Sequence, residues 1–201
     1  MRSHPGIAGI LLLLCGKCAA VPPVLADKVF LDDPMAMCLD GSRAVMYVSA
    51  GTRAGAFYIY DEGGGWCQTA DECALRAQGV HGSSASYEEQ LDLSGVQTRV
   101  FFSRNVSLNP LMNDWTFVYL PYCDGGSFTG DARADAPIAL EFRGRRIRAA
   151  AVAQLPGFRD GGVRDVVVGG CSAGGAAAFL HADWYVGLHA LFLPPAQFKN
   201  V

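Results

Sequence analysis

The sequence predicts an α/β fold, a mostly parallel sheet with helices on both faces, and three observations predict it. Short β-branched and aromatic runs recur at Ala44 to Val48, Ala56 to Tyr60, Thr116 to Leu120 and Asp165 to Gly169. Between the last two runs lies EFRGRRIRAAAVAQL, in which Ile147, Ala151 and Leu155 recur every four residues, as on the buried stripe of an amphipathic helix. Strand, loop, helix, strand is a βαβ unit, and its right-handed crossover sets the two strands parallel in one sheet.

Composition supports a chain that buries a core. The 201 residues are 51% hydrophobic and 17% charged, enough for one sizeable domain and too apolar for disorder. A net charge of −3 supplies no basic field, so nucleic acid is not an expected partner.

The chain opens on MRSHPGIAGILLLLCGKCAA, with Arg2 at the start, an apolar run from Ile7 to Cys15 and small residues at Ala19, Ala20 and Ala26. That is the pattern of a secretory signal peptide, expected to span residues 1–26, with cleavage near Ala20 or Ala26. Lys17 interrupts the apolar run short of the roughly 20 residues a membrane span needs, so no stable membrane anchor is expected. The C-x-x-C of Cys15 and Cys18 falls inside this segment and is read as incidental.

Five cysteines remain in the expected domain, residues 27–201: Cys38, Cys67, Cys73, Cys123 and Cys171. An oxidising compartment favours disulfides. Cys67 and Cys73, separated by the polar loop QTADE, are the first candidates for a small disulfide-closed loop, and Cys38 and Cys123 are a weaker pair. Five is odd, so at least one thiol stays outside or joins a cysteine this chain lacks; Cys171, in an apolar setting, suits a buried thiol. Asn105-Val106-Ser107 is an N-glycosylation acceptor pattern, meaningful on the secretory route.

In the helix, Arg143, Arg145 and Arg148 are expected on more exposed faces, and Pro156-Gly157 ends it before Gly161-Gly162 turns into the next strand. Residues 78–113 are less regular and are expected to form a surface excursion, of the kind that often shapes a ligand cleft.

The strand Asp165 to Gly169 leads into Gly170-Cys171-Ser172-Ala173-Gly174-Gly175, a G-x-S-x-G followed by a small-residue helix. A sharp strand-to-helix turn lifts a serine Oγ clear of the sheet, and glycines two residues to either side remove the clashes that such strained geometry would create. Ser172 is the candidate nucleophile. The first N–H groups of the following helix point toward charge developing beside it, which makes Ala173 an oxyanion donor. A second cluster, Glu62-Gly63-Gly64-Gly65-Trp66-Cys67, follows the strand Ala56 to Tyr60 and offers Gly65 and Trp66 as further donors. Taken alone, the triple glycine is an ordinary turn, and Trp66 fits a core aromatic equally well.

At these residues the chain resembles the pectin acetylesterase and Notum family of carboxylic ester hydrolases. The resemblance rests on CLDGS at Cys38 to Ser42, EGGGWC at Glu62 to Cys67, YCDGGSFTGD at Tyr122 to Asp131, FRGRRI at Phe142 to Ile147 and GCSAGG at Gly170 to Gly175. The plant-type pectin acetylesterases look closer, through the D-G-x-S-F-T-G-D stretch and LHAD at Leu180 to Asp183. The resemblance implies an α/β-hydrolase-like fold, secretion to the cell wall or endomembrane lumen, no metal, no cofactor and a Ser, Asp, His triad. Its substrates would be acetylated polysaccharide or other acyl esters. By matched position it implies Ser172 as nucleophile and Gly65, Trp66 and Ala173 at the oxyanion hole.

The pattern departs after the elbow. In such hydrolases the acid and the base follow the nucleophile, and here only residues 173–201 do. Asp183, His181 and His189 are the downstream candidates. His181 would lie roughly 13 Å along the helix from Ser172, beyond hydrogen-bond reach. The expectation is a partial α/β-hydrolase domain, incomplete on its C-terminal side, lacking the triad Asp and His and leaving an open sheet edge beside the nucleophile strand. Three functions follow: an ester hydrolase; a catalytically inactive secreted carbohydrate-binding or decoy protein; and, less supported, a peptidase. Asp124 and Asp131 either contact sugar or cap turns, with the structural role ahead.

Overall fold

The computed structural model describes residues 22–96, 99–136 and 138–185. In chain order the strands are β1 (Leu25–Phe30), β2 (Val45–Ser49), β3 (Ala56–Asp61), β4 (Gln90–Asp92), β5 (Thr116–Leu120), β6 (Ala132–Ala134), β7 (Leu140–Phe142) and β8 (Asp165–Gly170). The helices are α1 (Ala70–Arg76), α2 (Gly144–Gln154) and α3 (Ala173–Leu180). Six strands form one sheet in the order β4, β1, β2, β5, β3, β8, and β6 pairs with β7 as a separate ribbon.

The sheet is mixed rather than mostly parallel. β3 runs parallel to both β5 and β8, as the βαβ reading requires, with β3 lying between them. The β1–β2, β1–β4 and β2–β5 pairs are antiparallel. The link from β1 to β2 carries no helix, and a connection that short suits antiparallel neighbours. β1 starts within the stretch read as a leader: Val24 and Ala26 are buried, and Ala26 pairs with Leu91.

Alternation along β3 and β5 sends side chains into two cores. Phe57, Ile59, Val118 and Leu120 face one cluster, where Ile147 and Ala151 of α2 and Ala173 and Ala177 of α3 cover them. Tyr58, Tyr60, Phe117 and Tyr119 face the other, which is closed not by an α-helix but by the excursion. Its 3₁₀ turns at Leu93–Gly95 and Arg99–Phe102 insert Leu93 and Phe102, both fully buried. These four tyrosine and phenylalanine rings meet Phe102 tilted or edge-on, at centroid separations of 5.1 to 6.3 Å. Helices on both faces were expected; on this face the aromatic cap replaces them.

The link between Cys67 and Cys73 is not the plain loop the sequence suggested. Thr69 caps α1 through a reciprocal pair in which its Oγ accepts from the Glu72 N–H and Glu72 accepts from the Thr69 N–H. Two disulfides join Cys67 to Cys73 and Cys38 to Cys123, and Cys171 lies outside both. No helix among the described residues is long and apolar enough to cross a membrane.

Among the described residues β8 is an outer strand of the sheet. Val167 is exposed there, and a cavity of about 550 Å³ runs along β8 between Phe158 and Tyr185.

Candidate active site

β8 delivers the chain to Ser172 in register with β3, Gly170 pairing with Asp61. Ser172 then takes φ 50° and ψ −118°, a backbone conformation that non-glycine residues adopt only when their surroundings enforce it. The enforcing contacts can be named. A Cβ at Gly174 would overlap the carbonyl oxygens of Asp61 and Glu62, one at Gly170 would overlap the Gly174 carbonyl, and one at Gly63 would overlap the Cys171 carbonyl and come within 3.0 Å of the Ser172 Cβ. The glycines of G-x-S-x-G and the first glycine of the Glu62 cluster thus let three backbone segments meet with no side chain between them. The Cys171 N–H donates to the Asp61 carbonyl at 3.3 Å, which fixes the turn against the end of β3.

Ser172 opens into a cavity of about 520 Å³ shared with Gly63, Gly64 and Gly65, so the two motifs read separately in the sequence form one wall. Ala173 begins α3 and is fully buried. Among the described residues, the N–H groups of Gly65, Trp66 and Ala173 take part in no hydrogen bond between backbone groups outside helices and strands. Of these three, Gly65 lines the Ser172 cavity, whereas Trp66 and Ala173 are not among its lining residues.

The Trp66 side chain is not a core aromatic, being more than half exposed. Its indole N–H donates to the Ser127 Oγ at 2.6 Å, and the ring lines a neighbouring groove with His81 and Leu75. Ser127 and Phe128 both have positive φ, held by Asp124, whose buried carboxylate accepts from the Gly126 and Phe128 N–H groups at 3.1 Å. Burial pushes the Asp124 carboxyl up to about 6 against those hydrogen bonds. Asp124 is thus a turn-former that supports the loop on which Trp66 rests. Asp131 pairs with Arg143 and Arg146 at 3.0 and 2.7 Å, which also gives it a structural part.

The excursion supplies the outer wall through Leu91 and Val96, as a cleft-shaping loop should. Three polar residues of this cavity carried no assigned role in the sequence reading: Tyr60, Glu62 and Tyr119. Glu62 is anchored by accepting the Tyr122 N–H at 2.8 Å. Burial, reinforced by the Glu62 charge, raises the Tyr119 hydroxyl above its ordinary range and keeps it neutral. The signal for Glu62 was its place directly before the glycines; Tyr60 and Tyr119 looked like ordinary strand residues.

Among the described residues, no histidine lines the Ser172 cavity. His181 faces a different cavity, with Arg145, Arg148 and Trp184. Asp183 is exposed beyond the end of α3, and His189 lies outside the described residues.

Arg148 overturns one expectation outright. It is not on an exposed face of α2 but 2% accessible, with its guanidinium 2.8 Å from the carboxylate of the fully buried Asp61. It also donates to the Ala177 carbonyl at 2.9 Å and to the Tyr185 hydroxyl at 3.3 Å. α2 packs through Ala150, Ala151 and Val152, and these small residues bring the helix close enough for Arg148 to reach the sheet. Desolvation raises the Asp61 carboxyl well above the ordinary carboxylate range, and the Arg148 charge opposes it.

A mixed sheet with a strained serine between strand and helix, facing a glycine loop from a neighbouring parallel strand, defines an α/β-hydrolase-like protein. The pectinacetylesterase family model matches residues 22–199, and the chain belongs to that family. It is 35% identical to Pectin acetylesterase 5 of Arabidopsis thaliana over 154 residues, covering 75% of this chain and 35% of that protein. Pectin acetylesterase 11 of the same plant is also 35% identical, with 75% and 38% covered. The palmitoleoyl-protein carboxylesterase NOTUM of Homo sapiens is 25% identical over 146 residues, with 73% and 29% covered. The crystal structure of the Wnt deacylase Notum from Drosophila superposes with a TM-score of 0.70 at 24% identity, over 80% of this chain and 47% of that one, which establishes the shared fold. The chain spans 35 to 38% of the length of these plant relatives.

Proposed function

We propose that Ser172 is the nucleophile of a secreted serine carboxylic ester hydrolase that removes acetyl or other acyl groups from a polysaccharide such as pectin. The observation that carries this reading is the strained elbow at Ser172 facing Gly63 to Gly65 across one cavity. The Ser172 Oγ attacks the acyl carbonyl, the N–H groups of Gly65, Trp66 and Ala173 receive the negative charge on the tetrahedral intermediate, and water then releases the acid. Among the described residues, neither an Asp nor a His lines the Ser172 cavity.

Two disulfides and the exposed acceptor Asn105 support a secretory route. Because Ala26 is buried inside β1, leader removal near Ala20 leaves the sheet intact, whereas cleavage after Ala26 would remove part of an inner strand.

A second reading has its own support, since no histidine lines the Ser172 cavity among the described residues: a carbohydrate-binding or decoy protein that keeps the cleft without turnover. The two are separated by measuring acetate release from acetylated pectin beside direct binding to the same polymer. Release that is abolished in Ser172→Ala supports the hydrolase. Binding with no release, unchanged in Ser172→Ala, supports the decoy.

A further inference from the structure

Asp61 is the last residue of β3, and its backbone and its side chain both act on the elbow. Its carbonyl oxygen accepts the Cys171 N–H at 3.3 Å, and it pairs in register with Gly170. Its carboxylate, fully buried, lies 2.8 Å from the Arg148 guanidinium. The chain leaves Asp61 as Glu62-Gly63-Gly64-Gly65, the loop that shares a cavity with Ser172.

α3 begins directly after Ser172, so the serine moves with that helix. Side-chain packing gives the helix little hold. Its sequence is AGGAAAFL, its buried residues are Ala173, Gly174 and Ala177, and the larger Phe179 and Leu180 are exposed. The Ser172 side chain does not cap its N-terminus. Glycines weaken a helix and small residues bury little area, so eight residues of this composition depend on outside contacts for their position. Arg148 supplies one at the far end, where it donates to the Ala177 carbonyl at 2.9 Å. That carbonyl belongs to the last turn of α3, where a cation also meets the negative end of the helix.

These contacts close a circuit. It runs from the Asp61 carbonyl to Cys171, through Ser172 into α3, from the Ala177 carbonyl to Arg148, and back to the Asp61 carboxylate. One residue of β3 is thereby tied to both ends of the helix that carries the serine, and it also starts the glycine loop. A guanidinium suits the task because its planar fork serves Asp61, Ala177 and the Tyr185 hydroxyl together, which the point charge of a lysine does not.

We propose that Arg148 and Asp61 are positioning residues that set the placement of Ser172 against Gly63, Gly64 and Gly65. Neither lines the Ser172 cavity, so each acts through the elbow and not by contact with substrate. The consequence for catalysis rests on Ser172 being the nucleophile.

The test compares the intact chain with Asp61→Leu/Arg148→Met, which strands no buried charge, and with Arg148→Lys. Two rates are read: labelling of Ser172 by a fluorophosphonate, and hydrogen exchange of the Cys171 amide, with the amides paired between β1 and β2 as a reference remote from the elbow. Both variants are expected to keep the β1–β2 protection, to label Ser172 about tenfold more slowly and to exchange the Cys171 amide about tenfold faster. An ion pair that merely stabilises the fold gives the opposite result, wild-type labelling and wild-type Cys171 exchange wherever the β1–β2 protection is kept, and that would overturn the proposal. Absence of Ser172 labelling in the unaltered chain counts against the nucleophile and not against the positioning. The Cys171 amide then decides alone: faster exchange in the variants supports the proposal, and unchanged exchange overturns it.

Discussion

The elbow at Ser172 and the ion pair beneath it meet at one residue, Asp61, and are built on opposite principles. The backbone of Asp61 abuts Gly170 and Gly174, where the structure depends on side chains that are missing. The carboxylate of Asp61 is bound to Arg148, where the structure depends on two charged side chains finding each other in the core. A turn made by omission tolerates no added atom, whereas a buried charge tolerates no lost partner. The strained serine is held between these two constraints, as a preorganised site requires.

Four results would break or sharpen that contrast, beginning with the largest effect. Arg148→Met strands the Asp61 carboxylate and is expected to cost about 3–5 kcal/mol in chemical denaturation, while the double variant Asp61→Leu/Arg148→Met recovers most of the loss. If the double variant is no better than the single one, the pair is not the reason for the cost. Gly174→Ala, which drives a methyl into the Asp61 carbonyl, is expected to cost about 2–3 kcal/mol, and no change at Arg148 should relieve it.

The pH dependence follows from the raised Asp61 carboxyl. Its folded value lies above the unfolded one, so its contribution is fully present below the ordinary carboxylate range and is lost as pH rises toward about 7. Asp124, raised to about 6, acts in the same direction. Denaturation midpoints measured from acid to neutral pH are expected to fall, and Asp61→Asn is expected to flatten the slope without abolishing it. The smallest effect should be a gain: Ser172→Gly relieves the backbone strain and is expected to stabilise the protein by about 1 kcal/mol while destroying any Ser172 chemistry. A loss of stability would mean that Ser172 is not strained.

What could be read from the sequence divides along the same line. The elbow was legible because its glycines, strand and helix are contiguous, and the structure gives each of them a contact that explains it. The strand Thr116 to Leu120 and the end of α2 before Pro156 were legible for the same local reason. Arg148 was not, because one of several arginines on α2 looks solvated until its partner on β3 is known; the clue was Val152, one turn further along the same buried stripe. α1 was missed although Thr69-Ala70-Asp71-Glu72 is a capping box, because the flanking cysteines suggested a bare loop. β1 was missed because an apolar leader-like stretch runs straight into it, and the antiparallel half of the sheet went with it.

The central claim is that Ser172 occupies a nucleophile elbow with oxyanion donors beside it. It is tested most directly by treating the chain with a fluorophosphonate and locating the adduct by peptide mass spectrometry. Even without a base, oxyanion donors alone sustain a rate advantage on the order of 10³ in triad-deleted hydrolases, so Ser172 is expected to be modified ahead of every other serine, including the buried Ser127. Modification of other serines with Ser172 untouched would contradict the account.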